Sequence, residues 1–186
     1  MKLKVGVSNR HIHLKQSDLD VLFGCDLTKR NDLTQPGQFA ANEVLTIKTA
    51  KSEINNVRVL GPVRDYTQIE ISQTDAYKLG LNPPVRSSGH LEDSEVVTLI
   101  GPYGSITTNG CIIADRHIHV TYADKEKYNL PDKVMVKIAG EKRGIIEVAI
   151  KASAEAYFEL HLDTDDANAF DLKDDDEVEV FIEREN

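Results

Sequence analysis

Four of the six histidines in the chain occur in two triplets, His11-Ile12-His13 and His117-Ile118-His119. An arginine precedes each triplet, and the corresponding positions lie 106 residues apart. Because side chains alternate between the two faces of a β-strand, a His-x-His strand places both imidazoles on one face and the central residue on the other. Two neighbouring imidazoles make up half of a tetrahedral metal site. The triplets therefore predict two metal sites, with each isoleucine directed into apolar packing.

Further residues could complete the two sites. His161, in an alternating segment before a short helix, is a candidate third ligand, and Glu70 is the best candidate carboxylate. His90 follows a Ser-Gly pair in a loop, and we interpret it as a surface histidine. Three protein ligands per metal leave one position open, which is typical of catalytic zinc. A closed structural site would usually contain cysteines, but Cys25 and Cys111 do not have the spacing of metal ligands.

The elements that must position these residues are mostly strands. Short β-rich segments end repeatedly at Gly and Pro, a pattern that predicts a mainly β fold of the barrel or sandwich type. Short helices are predicted at 17–23, 74–79, 121–128 and 163–170, each near a Ser, Thr or Asp able to cap its first amides. The duplicated triplet suggests two related half-structures.

Composition narrows the classes of partner. The formal net charge is −9, which argues against nucleic acid or a membrane surface as a partner and requires a local positive site for any phosphate-bearing substrate. The apolar runs are too short to span a membrane, and the N-terminus begins directly with a strand-like segment rather than a signal peptide. The two cysteines are interpreted as small buried residues in a reducing compartment. We therefore expect a cytoplasmic protein.

Several long motifs in a fixed order resemble phosphate propanoyltransferases, the phosphotransacylases of the propanediol-utilisation type. They occupy residues 5–14, 35–40, 57–64, 67–72, 74–76, 116–119 and 161–169, which together extend over nearly the whole chain. The resemblance implies an enzyme that catalyses acyl-CoA + phosphate ⇌ acyl phosphate + CoA with two zinc ions. It assigns one zinc to His11, His13 and Glu70, and the other to His117, His119 and His161.

The resemblance also implies roles for eight further residues. Arg64 matches the arginine that binds phosphate, and the residues that match polar groups lining the active site are Ser88, Gln38 and Gln68. The residues that match contacts to coenzyme A are Ser8, Arg58, Leu60 and Asn168. One departure from the family pattern is His90, where Asp or Asn is usual.

The family fold is two β-barrels capped by short helices. By this resemblance one domain comprises residues 1–9 and 116–186, the other comprises residues 10–115, and the active site lies between them in a homodimer. Family members that are targeted to microcompartments carry an additional amphipathic N-terminal segment. This chain shows no such segment, so packaging inside a microcompartment is not expected.

Two other functions compete with this interpretation. One is a zinc hydrolase, although the (β/α)₈ barrels that use His-x-His need roughly 250 residues and alternating helices. The other is a non-enzymatic metal-binding β-barrel with closed coordination. The sequence does not choose between acetyl and propionyl groups, which differ by one methylene. Nor does it choose between zinc and other divalent ions, since several accept imidazole and carboxylate ligands.

Overall fold

The computed structural model describes residues 1–181, which form fourteen strands and four helices. In chain order they are β1 (Lys2–Ser8), β2 (His11–His13), α1 (Gln16–Phe23), β3 (Lys29–Asp32), β4 (Phe39–Lys48), β5 (Glu53–Gly61), β6 (Gln68–Glu70), α2 (Gln73–Leu79), β7 (Val85–Arg86), β8 (Glu95–Ile100), β9 (Ser105–Ala114), β10 (His117–Thr121), α3 (Tyr122–Lys127), β11 (Lys133–Ile138), β12 (Gly144–Ser153), β13 (Glu159–Asp163), α4 (Thr164–Phe170) and β14 (Glu177–Phe181). The predicted mainly β class is confirmed.

Contacts divide the chain into two compact units. Unit 1 consists of Met1–Ser8 and the chain from Asp115, and unit 2 is Asn9–Ala114. Each unit contains a closed six-stranded barrel, which confirms the predicted pair of β-barrels. The first predicted domain includes residues 182–186, which lie outside the described residues.

The barrel of unit 1 has the strand order β1-β13-β10-β12-β11-β14. Buried apolar and exposed charged side chains alternate along its strands. In β14, for example, Val178 and Val180 are buried while Glu177 and Glu179 are exposed. β13 runs parallel to β1 and antiparallel to β10. This pairing places His161 directly opposite a histidine of β10 and next to a glycine of β1.

The barrel of unit 2 is closed by the pairings β2-β5-β4-β8-β9-β6, with β6 returning to β2. β2 is parallel to β5 and antiparallel to β6, so His11 lies directly opposite Glu70. Ile12 and Ile69, also opposite each other, are fully buried in the core of this unit. The two short strands β3 and β7 pair with β4 and β9 at the outside of this cycle.

The two barrels follow the same plan. β1 leads into the first histidine triplet and β9 into the second. Nevertheless, β1 pairs in parallel with β13 of unit 1, and β9 pairs in parallel with β6 of unit 2. The strand that precedes each triplet therefore belongs to the unit that contains the other triplet. The two triplets, 106 residues apart, therefore occupy equivalent strands of a strand order that occurs twice in the chain.

The four helices begin and end within two residues of the predicted positions. Three of them have the expected side-chain N-cap, whose oxygen accepts a hydrogen bond from a backbone N–H three residues later; the caps are Ser72, Thr121 and Asp163. The fourth helix, α1, is preceded by Lys15 and has no side-chain cap, so the prediction for this helix was wrong. Its first turn is closed only by backbone donors to the Lys15 carbonyl. Within residues 1–181, no helix is both long enough and apolar enough to span a membrane.

Candidate metal centres

The first candidate metal centre, in unit 2, contains His11, His13 and Glu70. Their ligand atoms all lie within 4.8 Å of one another, because β2 and β6 are paired with His11 opposite Glu70. His11 Nε2 is 3.3 Å from Glu70 Oε2, and His11 Nδ1 hydrogen-bonds the Asn9 carbonyl at 2.9 Å. The isoleucine between the two histidines is fully buried on the opposite face, as the alternation predicted.

His13 offers the clearest sign of a ligand atom. Its side chain is almost completely buried, and its Nδ1 has no hydrogen-bond partner. A buried nitrogen without a partner costs free energy of about 1–3 kcal/mol. A metal ion bound at Nδ1 would remove that cost.

The second candidate centre, in unit 1, contains His117, His119 and His161, again with all ligand atoms within 4.8 Å. His117 Nε2 and His119 Nε2 are 3.1 Å apart, and His117 Nδ1 hydrogen-bonds the Asp115 carbonyl at 2.7 Å. The contact to a carbonyl two residues earlier repeats the contact that His11 makes in unit 2. These three histidines are partly exposed.

Both groups fit a divalent ion. Zinc–nitrogen bonds of about 2.0–2.1 Å in tetrahedral geometry place neighbouring ligand atoms roughly 3.3 Å apart. The pairs at 3.3 Å in unit 2 and 3.1 Å in unit 1 match that spacing. His11 and His117 each direct one ring nitrogen to a backbone carbonyl, which fixes the ring and presents the other nitrogen to a metal.

The pKa values of the unit 2 histidines shift in opposite directions. Burial lowers the pKa of His13 well below its usual value, and the charges of His11 and Arg64 act in the same direction. Burial also lowers the pKa of His11, but the charge and hydrogen bond of Glu70 outweigh it, so the net pKa is raised. His13 is therefore held as the neutral imidazole that binds metals, whereas His11 retains its proton more strongly.

A chain of polar side chains connects Arg64 to the metal centre of unit 2. Arg64 Nη1 donates to Ser88 Oγ at 3.0 Å and to the Tyr66 hydroxyl at 3.3 Å. Gln68 Nε2 donates to the same Ser88 oxygen at 2.9 Å and also to Glu70. The structure thus brings together a guanidinium, a hydroxyl, an amide and a candidate metal ligand, all from residues that the sequence singled out except Tyr66.

The loop that carries Ser88 is fixed by Gln68. The Gly89 N–H donates to Gln68 Oε1 at 2.8 Å, and Gly89 has φ 92°, which is accessible chiefly to glycine. His90 closes this turn through its backbone and is exposed, as expected for a surface histidine. Gln38 lies in a different turn, just before β4, where its N–H donates to the Gln35 carbonyl at 3.2 Å.

The four predicted contacts to coenzyme A are divided between the units. Ser8 ends β1, and Asn168 is exposed on α4, so both belong to unit 1. Arg58 and Leu60 lie on β5 in unit 2, two residues apart on one face of the strand. Arg58 Nη1 donates to the carbonyls of Ala41 and Asn42 at 3.0 and 2.9 Å, which fixes its guanidinium.

Sequence reasoning missed two matching ion pairs next to the triplets. Arg10 Nε is 2.7 Å from Asp75 Oδ2, and Arg116 Nε is 2.8 Å from Asp166 Oδ2. Each pair joins the residue before a triplet to the first turn of the helix that follows the third-ligand strand. The arginine that precedes both triplets was the visible signal.

The two cysteines, both expected to be buried, differ in their exposure. Cys111 is fully buried, and burial raises the pKa of its thiol to about 12. Cys25 is exposed, so the interpretation of both cysteines as buried residues was wrong for this one. Its position just after the left-handed Gly24 that ends α1 explains the exposure.

Comparison with known proteins identifies the family. A family model described as phosphate propanoyltransferase matches residues 4–173. The chain is 49% identical to the phosphate propanoyltransferase of Thermotoga maritima over 95% of this chain and 87% of that protein. It is 45% identical to that of Rhodopseudomonas palustris, over 96% of this chain and 82% of that protein. The corresponding protein of Salmonella typhimurium is 42% identical over 90% and 82%.

The chain belongs to the phosphate propanoyltransferase family. This confirms the family resemblance and the prediction of an acyltransferase.

Proposed function

We propose that this chain transfers a short acyl group, propionyl or acetyl, between coenzyme A and inorganic phosphate. The observation that carries the proposal is the connection from Arg64 through Ser88 and Gln68 to Glu70. It attaches a fixed cation to a candidate metal ligand in a protein whose net charge is −9. Membership of a family whose named relatives are phosphate propanoyltransferases supports the same reaction.

Arg64 would bind phosphate. Its guanidinium is fixed by Ser88 and Tyr66, and its planar fork can meet two phosphate oxygens at once. Phosphate is a weak, strongly hydrated nucleophile, so holding it in line with the thioester carbonyl supplies much of the rate enhancement. Divalent ions at the two histidine groups would supply Lewis-acid chemistry, with affinity for a thiolate sulfur and for phosphate oxygens.

The bond changes balance without an additional reactant. A phosphate oxygen forms a bond to the carbonyl carbon, the carbon–sulfur bond breaks, and its electron pair leaves with sulfur. The proton of hydrogen phosphate ends on the thiol. Ser88 Oγ accepts from Arg64 and Gln68 and keeps its own hydrogen, so this hydroxyl would donate to the carbonyl oxygen as negative charge develops on it, while Gln68 holds Ser88 in place.

Binding of coenzyme A would involve Arg58, Leu60, Ser8 and Asn168. On β5 the fixed guanidinium of Arg58 offers positive charge, and the partly buried Leu60 offers apolar surface two residues later. We further propose a cytoplasmic homodimer, which light scattering of the purified protein and cell fractionation would check.

The test is thiol release from propionyl-CoA and acetyl-CoA, measured with and without phosphate, with zinc content determined on the same sample. We expect release that depends on phosphate and is nearly abolished by His117→Ala, while circular dichroism shows a folded protein. His90→Ala, which removes an exposed imidazole outside both centres, is the matched control. Near-normal turnover by His117→Ala would refute the role of the second centre, and release that is independent of phosphate would indicate a hydrolase.

A further inference from the structure

Glu159 is a buried carboxylate in contact with a candidate metal ligand. It is only 4% exposed and precedes His161 by two residues, so both side chains lie on one face of β13. Its Oε2 is 2.7 Å from His161 Nε2. Neither the candidate metal groups nor the residues implied by the family resemblance include it.

The neighbouring strand makes room for this carboxylate. Gly6 of β1 lies opposite His161 in the parallel pairing of β1 with β13. A Cβ at Gly6 would be 2.9 Å from both Cδ and Oε2 of Glu159, closer than real Cβ atoms come to other atoms. A glycine here therefore permits Glu159 to occupy the position from which it contacts His161.

The duplicated strand order shows what Glu159 corresponds to. Its segment, Glu159-Leu160-His161, occupies in unit 1 the position of Gln68-Ile69-Glu70 in unit 2: each pairs with the histidine triplet and precedes a capped helix. In unit 2 the ligand position is occupied by the carboxylate Glu70, and the amide Gln68 lies two residues before it. In unit 1 the ligand position is occupied by His161, and the carboxylate Glu159 lies two residues before it. Each centre thus receives one carboxylate from the equivalent strand.

The charges of the two centres indicate that Glu159 has a role in metal binding. Three neutral imidazoles bring no negative charge to a divalent ion, whereas the unit 2 centre has Glu70 as a ligand. A buried carboxylate is costly unless it is paired. A carboxylate that accepts a hydrogen bond from a metal-binding histidine fixes the ring and makes it a stronger ligand.

We propose that Glu159 is a positioning residue of the unit 1 metal centre. It accepts the hydrogen of His161 Nε2, leaves Nδ1 as the ligating nitrogen, and supplies the negative charge that the three histidines lack. The inference rests on the proposed function, because it requires a metal ion at these histidines.

The test compares Glu159→Gln with the wild-type protein, in zinc affinity by chelator competition and in the number of bound zinc ions by native mass spectrometry. We expect one of the two zinc dissociation constants to rise about 10- to 100-fold, as is usual when such a partner is lost, while the other stays unchanged. Glu147→Gln is the control, since it removes an exposed carboxylate of the same barrel that pairs with Lys133. The melting temperature of the metal-free variants reports any purely structural effect.

Gly6→Ala provides a second variant that keeps the carboxylate but displaces it. The backbone of Gly6 does not require glycine, and the crowded atoms are the mobile end of a side chain, so the barrel should remain folded. We expect the same dissociation constant to rise as in Glu159→Gln.

The outcomes separate the two proposals. Wild-type protein that binds fewer than two zinc ions would count against the metal-dependent function itself. Wild-type protein that binds two, with both dissociation constants unchanged in Glu159→Gln and Gly6→Ala, would overturn only the role of Glu159. A lower melting temperature of the metal-free variant with unchanged zinc affinity would likewise show a structural role alone.

Discussion

Three histidines of the two centres, His11, His117 and His161, share one arrangement: one ring nitrogen contacts a protein acceptor, which leaves the other for a metal. His11 and His117 use backbone carbonyls two residues earlier. His161 differs because its acceptor is the carboxylate of Glu159. The tautomer of these three rings is thereby set before a metal binds.

Arg64 provides the first prediction at this scale. Arg64→Lys keeps the charge but loses the planar fork, so we expect kcat/KM for phosphate to fall by about tenfold or more, because hydrogen bonds to charged groups contribute roughly 1.5–3 kcal/mol. Steady-state kinetics with varied phosphate would measure it. Arg30→Lys, on the exposed strand β3, should leave the kinetics unchanged. Equal phosphate dependence in the two variants would argue against a bidentate contact.

The dependence of metal binding on pH is the second prediction. Since Glu70 raises the pKa of His11 above its usual value near 6.5, a proton competes with the metal there even close to neutral pH. The lowered pKa of His13 means that His13 competes little in the same range. Zinc affinity of the unit 2 centre should therefore weaken about tenfold per unit as pH falls through this range. Chelator competition between pH 5 and 8 measures this, and a flat profile would contradict it.

At the scale of elements, the His-Ile-His strand has two roles at once. One face presents two imidazoles, and the opposite face buries an isoleucine, Ile12 or Ile118, with 0% exposure. The flanking ion pairs Arg10–Asp75 and Arg116–Asp166 then join each triplet to the helix after its partner strand. Packing of the isoleucine and position of the ligands are therefore coupled.

Ile118→Ala tests this coupling. We expect the free energy of unfolding to fall by about 2–5 kcal/mol, because the cavity lies in a closed core. Zinc affinity of the unit 1 centre should also fall, because the strand can relax into the space. Chemical denaturation and chelator competition would measure the two effects. Ile145→Ala, in the same barrel but 58% exposed, should change stability by no more than about 0.5 kcal/mol. Unchanged zinc affinity in Ile118→Ala would show that packing and ligation are independent.

At the scale of the whole molecule, each of two similarly ordered barrels contains one complete set of candidate ligands. Unit 2 holds His11, His13 and Glu70, and unit 1 holds the three remaining candidates. The ligands of each set come from separate strands that pair only in the folded barrel, so a metal should bind the native state and not the unfolded chain.

Removal of metal should therefore destabilise the protein. With free zinc at about 100 times the dissociation constant, one site stabilises the native state by about 2.7 kcal/mol. Differential scanning calorimetry before and after chelation should show a lower melting temperature, restored by zinc. In His117→Ala, chelation should still lower the melting temperature, but only by the amount that the metal in unit 2 contributes. No change on chelation would contradict metal binding at either centre.

The sequence by itself determined the features that depend on local periodicity. The alternation of side chains predicted that each triplet presents two imidazoles on one face and buries its isoleucine, and short runs of apolar residues predicted the β class. Gly and capping residues located the four helices to within two residues, apart from the missing cap of α1. The grouping of Glu70 and His161 with particular triplets came from the family resemblance, because both are far from their partners in the chain.

Only the tertiary structure decided which distant groups meet. The contact of Glu159 with His161, the space left by Gly6, and the Arg10–Asp75 pair depend on the register between strands that are remote in sequence. A shift of one residue in that register would move every side chain to the opposite face. Local propensity does not specify register, which is set by the packing of a whole barrel core, and for that reason these contacts could not be derived from the sequence alone.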